Sequence, residues 1–369
     1  MSTPTLSDDD VRRTRVAAQL LHRPGRTRPA VADLVAQLPA LQAQDIAAAP
    51  LALRARARGL TAADVTAARE DRSIVRAWGP RGTLHLIAAD DLAWLIALVG
   101  PAGTDGAMRR LKQEGVAGTS EELVRIAERA LAGQGPLTKA QLGDRLAALG
   151  CPAKGQGIVY MAFLAAARGT VVLGPDRANR PTYVYTADWL GRELRPEADR
   201  DKALRELARR YLRAHAPAGP EDLAAWAGLP LRDTRTPWAA IADELTEVDH
   251  GGRPLWRPRR SAPRPARVAV ALLPAFDEYL LGWRDRALVL DGAHSRKILP
   301  GGGILHPSVM ADGRLVGRWR PTREGPIAVD LFDADNAVDK ATLRAETEDI
   351  ARFYMQDQRG KEGRHDATG

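Results

Sequence analysis

The chain has 369 residues, 45% hydrophobic and 27% charged, with a formal charge of +8 and a pI near 9.9. That is the balance of a soluble globular protein, long enough for two or three domains with sizeable cores. A single cysteine, Cys151, excludes an intramolecular disulfide and any cysteine-rich zinc or iron–sulfur site.

The positive charge is almost all arginine; the lysines are only Lys112, Lys139, Lys154, Lys202, Lys297, Lys340 and Lys361. Guanidinium groups pair with planar, bidentate acceptors, so the balance favours a nucleic-acid partner, although a GC-rich genome would give the same composition. No pair of histidines has the spacing of a helical metal site, and no glycine-rich phosphate loop is followed by Lys and Ser/Thr. The start of the chain is polar and acidic, and no apolar run reaches membrane-spanning length. A cytoplasmic, nucleoid-associated monomer without cofactor or metal is expected.

Asp8-Asp9-Asp10 opens an amphipathic helix over 8–21, acids first as the helix dipole prefers. A short helix over 30–38 ends at Pro39, and a further helix is expected over 41–57. Within it stands Leu41-Gln42-Ala43-Gln44-Asp45, among Leu38, Ile46, Leu51 and Leu53. Amides on a packed backbone need partners, since burying one unpaired costs about 1–3 kcal/mol. Backbone or water would satisfy them, or a ligand would. In a regular helix, positions two apart diverge by roughly 200°. For both glutamines to face one substrate, this segment must be irregular or close to a helix end, which Pro39 and Pro50 allow.

Thr61 and Asp64 form a capping box for another helix. The delayed Thr83–Ile87 run is the only strand candidate in this region, and Arg81 and His85 flank its start. Asp90 is expected to cap the helix of Leu92 to Leu98. Helices are then expected over 120–132, 138–146 and 155–168, followed by a hairpin from 169–174 to 182–185. The same order returns with helices over 197–214, 219–227 and 231–246 and a hairpin turning at His250-Gly251-Gly252. Helix, short helix, helix and two-stranded wing is the winged helix-turn-helix plan; a plain helical bundle is the competing reading.

Six arginines and several prolines lie between Arg253 and Arg267, an extended basic joint that would track a phosphate backbone or serve as a solvated linker. Beyond it the periodicity becomes strand-like at 268–273, 287–290, 303–305, 314–319 and 327–331, closed by a helix over 338–355. The expected fold is therefore mainly α with small β: three tandem winged helix-turn-helix units (8–115, 116–195 and 196–258), then a C-terminal β-barrel-like domain (259–358) and a disordered tail (359–369). Neither Asp90-Asp91 nor Asp277-Glu278 offers two converging carboxylates, because neighbours on a strand point apart. Asp277 is expected to orient Arg284 or Arg286. His294, Arg296, Lys297 and His306 surround Pro300-Gly301-Gly302-Gly303, a basic tip suited to a minor groove.

Leu41-Gln42-Ala43-Gln44, the run Arg76-Ala77-Trp78-Gly79-Pro80-Arg81-Gly82-Thr83-Leu84-His85, the stretch from Phe276-Asp277-Glu278-Tyr279 to Arg286, and Pro300-Gly301-Gly302-Gly303-Ile304 together resemble the AlkZ/YcaQ winged-helix DNA glycosylases. The resemblance runs from about Asp10 to Met355, in order. It implies three tandem winged helices with a C-terminal β domain, forming a basic duplex cradle. It also implies excision of alkylated purines, in some members the unlinking of crosslinks made by natural-product genotoxins. The family signature is Gln-aliphatic-Gln in one branch and Gln-aliphatic-Asp in the other. Gln42 and Gln44 would thus be the catalytic pair, with Gln44 placing the chain in the AlkZ branch. Arg81, His85, Arg284, Arg286, His294, Arg296, Lys297 and His306 are the expected DNA-binding residues. No lysine lies near the motif, so a monofunctional enzyme acting on N7-alkylated purines in duplex DNA is expected. The rival class is a winged-helix transcription regulator, against which stands the lack of a distinct effector or dimerisation segment. A nuclease would lack the clustered carboxylates of two-metal chemistry.

Overall fold

The computed structural model describes residues 3–23, 28–178, 180–322, 327–333 and 338–365. It is mainly helical with small antiparallel sheets. Two compact units form, one from residues 68–207 and one discontinuous, from 1–67 together with 208–369. This grouping cuts across the four consecutive segments drawn from the sequence.

In the discontinuous unit the first helix, Asp8–Ala18, starts at a capping box. The Ser7 hydroxyl accepts from the Asp10 N–H, and the Asp10 carboxylate accepts from the Ser7 N–H. Val11 and Val16 face the core. The helix Val31–Gln37 stops before Pro39. The helix expected over 41–57 is instead an extended pair, Leu41–Gln42, followed by a helix over Ala48–Arg54. Arg54 is wholly buried, pairing with Glu346 at 3.0 Å and Asp349 at 3.2 Å, so the closing helix Lys340–His365 is bolted to the N-terminal segment. That helix runs past the expected end at Met355; the expected tail, 359–369, lies partly outside the described residues.

The helices Arg200–His215, Pro220–Ala227 and Arg232–Ala240 are followed by the hairpin Leu245–His250 and Arg253–Pro258, in the expected order. The proline-rich joint has no regular structure beyond Pro258. It lies along the first helix through the Ala266 N–H donating to the Arg13 carbonyl at 3.1 Å. Arg253 is bound to buried Asp222 at 3.2 Å, and Arg259 caps the Leu245 carbonyl, so these two serve the fold. Arg260, Arg264 and Arg267 are exposed.

The C-terminal β region is an open four-stranded antiparallel sheet, in the order Ala328–Leu331, Arg314–Arg320, Ser308–Ala311, Ala271–Leu273. The outer strands do not pair among the described residues, so the expected barrel-like closure is corrected to an open sheet. Two of the expected strands are absent. Residues 287–290 form a turn held by the Val289 and Leu290 N–H groups on the Arg286 carbonyl. Near 303–305, Gly301, Gly302 and Gly303 take φ of 110°, 61° and 76°, outside the range of a paired strand. The missed strand Ser308–Ala311 follows directly on Pro307.

In the second unit five strands run in the order Leu84–Ala88, Ile74–Trp78, Val171–Arg177, Arg180–Tyr185, Leu137–Thr138. Ile74–Trp78 was not expected from sequence. Arg76 sits at its centre as a buried residue, 3.5 Å from Asp176, which hides the apolar pattern of a strand covered on both faces. Behind the sheet, Ser120–Leu131, Lys139–Ala148 and Gln156–Ala166 pack Leu123, Ala127, Leu142, Leu146, Met161 and Ala165 into one core. Each large aliphatic side chain so buried contributes about 1.5–3 kcal/mol. A capping box of Thr138 with Gln141 starts the middle helix. Asp90 does not cap the helix Leu92–Val99 but pairs with Arg192 at 2.9 Å. Buried Asp91 holds the N-cap position and accepts from the Trp94 indole at 3.0 Å.

Candidate active site

After Pro39 the chain runs extended through Leu41 and Gln42 and bends at Gln44 and Asp45. Successive side chains of an extended backbone point to opposite sides. Leu41 and Ala43 are in the core, at 1% and 0% exposure, Gln42 is buried too at 9%, and Gln44 is open to solvent. A helix would have set two amides two residues apart on diverging sides, and here the backbone is not helical, with Gln42 on the extended pair and Gln44 at the bend. The irregularity that Pro39 and Pro50 allow is present.

Asp45 ends the irregular stretch. Its Oδ1 accepts from the Ala47 N–H at 2.9 Å and the Ala48 N–H at 3.4 Å, satisfying donors that the next helix leaves open. Pro50 then falls in the first turn, where its missing N–H costs nothing. Asp45 also borders an apolar cleft of about 530 Å³, lined among others by Ala48, Leu51, Pro307, Trp319 and Tyr354.

Behind the motif lies the Phe276-Asp277-Glu278-Tyr279 segment. Asp277 caps the short helix Glu278–Leu281 by accepting from the Tyr279 N–H at 2.8 Å. Its two oxygens also take both terminal nitrogens of Arg56 at 2.8 Å, with both residues fully buried. The expected pairing of Asp277 with Arg284 or Arg286 is therefore corrected. A guanidinium buried at position 56 demands a bidentate carboxylate, and Asp277 is the one in reach. Glu278 is buried as well; its Oε1 accepts from the Gln42 main-chain N–H at 3.2 Å and its Oε2 from the Trp226 indole N–H at 2.9 Å. The sequence reading noted Glu278 only as half of an acidic pair. The signal it missed was the setting, a carboxylate set within Phe-Asp-Glu-Tyr-Leu-Leu and therefore bound to be buried and bonded.

The remaining expected residues are scattered in kind. Arg81 is exposed on a tight turn at φ 59°. His85 is completely buried, so a direct contact with a duplex is corrected to an internal role. Its Nδ1 donates to the Thr83 carbonyl at 2.9 Å, and its ring sits so close to Gly79 that a Cβ there would lie 3.0 Å from Nδ1. Burial, and next the charge of Arg81, lower its pKa to about 3, which keeps the ring neutral.

Arg284 is exposed, with its main-chain N–H on Asp222 at 3.2 Å, whereas the Arg286 Nε is tied to the Leu280 carbonyl at 2.6 Å. The loop over 294–306 carries a basic group with Arg296 and Lys297 exposed. His294 stacks on Phe332 at 4.6 Å and approaches Asp333 at 3.3 Å, and the Lys297 ammonium lies 5.1 Å over the same phenyl ring. Arg296 is exposed, and half-buried His306 anchors the loop through its N–H on the Ile298 carbonyl at 2.9 Å. At the glycine-rich tip Ile304 is 50% exposed. Among the described residues no cluster of His, Cys, Asp and Glu is arranged to hold a metal ion, and no helix is long and apolar enough to cross a membrane.

A fold of this order with a Gln-x-Gln motif on an extended segment defines a class: the family model described as DNA glycosylase AlkZ-like matches residues 35–353. The chain belongs to the AlkZ-like DNA glycosylase family, hydrolases of N-glycosyl bonds whose partner is DNA. It is 29% identical over 349 residues to an interstrand DNA cross-link repair glycosylase of Streptomyces sahachiroi, covering 89% of this chain and 91% of that protein. The solved structure of Streptomyces sahachiroi DNA glycosylase AlkZ superimposes with a TM-score of 0.81 at 28% identity, over 95% of this chain and 97% of the other.

Proposed function

We propose that the chain is a monofunctional glycosylase that hydrolyses the N-glycosidic bond of N7-alkylated purines in duplex DNA, bulky adducts and interstrand crosslinks included. The observation that supports this reading is the extended pair Leu41–Gln42 with the bend after it, which sinks Leu41 and Ala43 in the core, leaves Gln42 at 9% exposure and exposes Gln44. A purine alkylated at N7 already bears positive charge, so its bond to the sugar is weak without a general acid. Gln42 and Gln44 present carbonyl oxygens that hold a water at the anomeric carbon and oppose the oxocarbenium charge. The water oxygen bonds to that carbon, the carbon–nitrogen bond breaks, and its electron pair neutralises the purine. The water's proton passes to solvent. A neutral, undamaged base leaves too slowly to matter, which gives selectivity without any shifted pKa.

Arg81, Arg284, Arg296, Lys297, His294 and His306 hold the duplex in this reading, with Arg286 and His85 shaping the surfaces that carry them. The repeated order of helix, short helix, helix and hairpin supports three winged-helix units over 8–115, 116–195 and 196–258. The apolar cleft beside Asp45 supports substrates larger than a methylated base. The relative that acts on interstrand crosslinks supports the same extension. The enzyme works as a nucleoid-associated monomer.

The test is release of N7-methylguanine from duplex DNA. Gln42→Ala is expected to abolish release while duplex affinity is kept; undiminished release in that variant removes Gln42 from the mechanism. A transcription regulator would instead discriminate among undamaged sequences, which this enzyme binds with similar, salt-sensitive affinity.

A further inference from the structure

We infer that Glu278 is a positioning residue for bond cleavage: its buried carboxylate fixes the main chain at Gln42 and thereby aims both amides. The inference rests on the roles just proposed for Gln42 and Gln44. A carboxylate taken out of water costs several kcal/mol unless hydrogen-bonded. At 1% exposure Glu278 is so compensated, and one of its bonds is spent on the backbone N–H of the motif itself.

The other oxygen is held as firmly. Trp226 donates to Oε2 at 2.9 Å, and His215 Nε2 stands 4.0 Å from the same atom. His215 is in turn pinned, with Nδ1 on the Tyr211 carbonyl at 3.0 Å and its ring stacked on Tyr211 at 4.4 Å. A third anchor sets the backbone on which Glu278 stands. Asp277, its neighbour, is locked to Arg56 by two bonds of 2.8 Å. The carboxylate thus has little freedom. Misplacing a reacting group by about 1 Å costs about 10²-fold in rate, which is the effect expected when this grip is lost.

Glu278→Gln separates positioning from packing. The amide has one carbonyl oxygen for two donors, the Gln42 N–H and the Trp226 indole, so its NH₂ must oppose one of them. We expect excision of N7-methylguanine to slow about 10²-fold with duplex affinity within about twofold of wild type. Trp226→Phe removes the competing donor. In the Trp226→Phe/Glu278→Gln double variant the carbonyl is free to turn to Gln42, and excision should recover at least about tenfold over Glu278→Gln, although the double variant packs less well. Hydrogen exchange supplies a readout apart from activity: the Gln42 amide should exchange faster in Glu278→Gln and in Glu278→Asp, whose side chain is one methylene shorter. Should either variant fail to fold, the other, by rate and exchange, decides.

Wild-type excision in Glu278→Gln, no recovery in the folded double variant, or unchanged exchange at Gln42 each overturns the inference. If the wild type excises the base and Gln42→Ala does not, while Glu278→Gln is fully active, only the positioning role falls. If the wild type releases no alkylated base, the proposed function falls and the positioning role with it.

Discussion

Replacing Asp277 by alanine leaves the Arg56 guanidinium buried with the Ala52 carbonyl at 2.9 Å and the Gln19 amide oxygen at 2.8 Å as its remaining acceptors among the described residues. Both charge-assisted bonds of 2.8 Å disappear. Stranding one member of a buried pair costs about 3–5 kcal/mol. The variant also loses the cap on the helix Glu278–Leu281, worth about 1 kcal/mol. The expected loss, about 4–6 kcal/mol, is comparable to the whole stability of a typical domain, about 5–15 kcal/mol. Urea unfolding followed by tryptophan fluorescence reads this unit, since Trp226 and Trp283 are buried in it. Arg56→Met combined with Asp277→Leu should destabilise less than Asp277→Ala alone, because it removes both charges together. A loss below about 1 kcal/mol in Asp277→Ala, or a double variant worse than the single, would refute the view that this pair is dry and coupled.

Three further outcomes are expected. His85 is held neutral by a pKa lowered to about 3, so the unfolded chain binds the extra proton between its ordinary value near 6.5 and that point. Its contribution to stability is complete above pH 6.5 and shrinks as the pH falls towards about 3. About 2 kcal/mol should be lost between pH 7 and 5, and His85→Leu should flatten that part of the urea–pH profile. Ala351→Trp narrows the cleft beside Asp45, so a bulky aromatic N7 adduct should be excised at least about tenfold more slowly while N7-methylguanine is released as before; equal effects on both substrates would separate the cleft from the adduct. Lys297→Ala should lower duplex affinity for every sequence alike and reduce the slope of log affinity against log salt by about 0.9, with an unchanged slope placing Lys297 off the phosphate path.

Local chemistry was readable where a residue acts on its own neighbourhood. Asp8 to Asp10 announced a helix start, Thr61 and Asp64 a capping box, and Gly251-Gly252 a hairpin turn, and all three are present. The demand that Gln42 and Gln44 lie on irregular backbone also followed from residue spacing and two prolines. What failed depended on distance along the chain. Nothing in the vicinity of Asp277 says that its partner is Arg56, or that Glu278 reaches back to Gln42, because each pairing is made by tertiary packing. Arg76 and His85 misled for a related reason. A charged or polar residue in a strand reads as an outward face, whereas here Arg76 is paired internally with Asp176 and His85 is desolvated beneath Gly79. The three consecutive glycines at 301–303 read as a turn beside a strand, and their left-handed backbone removed the strand.

The long-range pairs have a temporal side. Arg56 emerges from the ribosome 221 residues before Asp277, and Arg54 292 residues before Glu346. At roughly 5–20 residues per second, the first guanidinium waits on the order of ten seconds or longer for its carboxylate. Until then the motif at Gln42 has neither its rear support nor its neighbouring helix locked in place. In the reading proposed above, a nascent or prematurely terminated product carries both glutamines before the pairings that hold the motif can form.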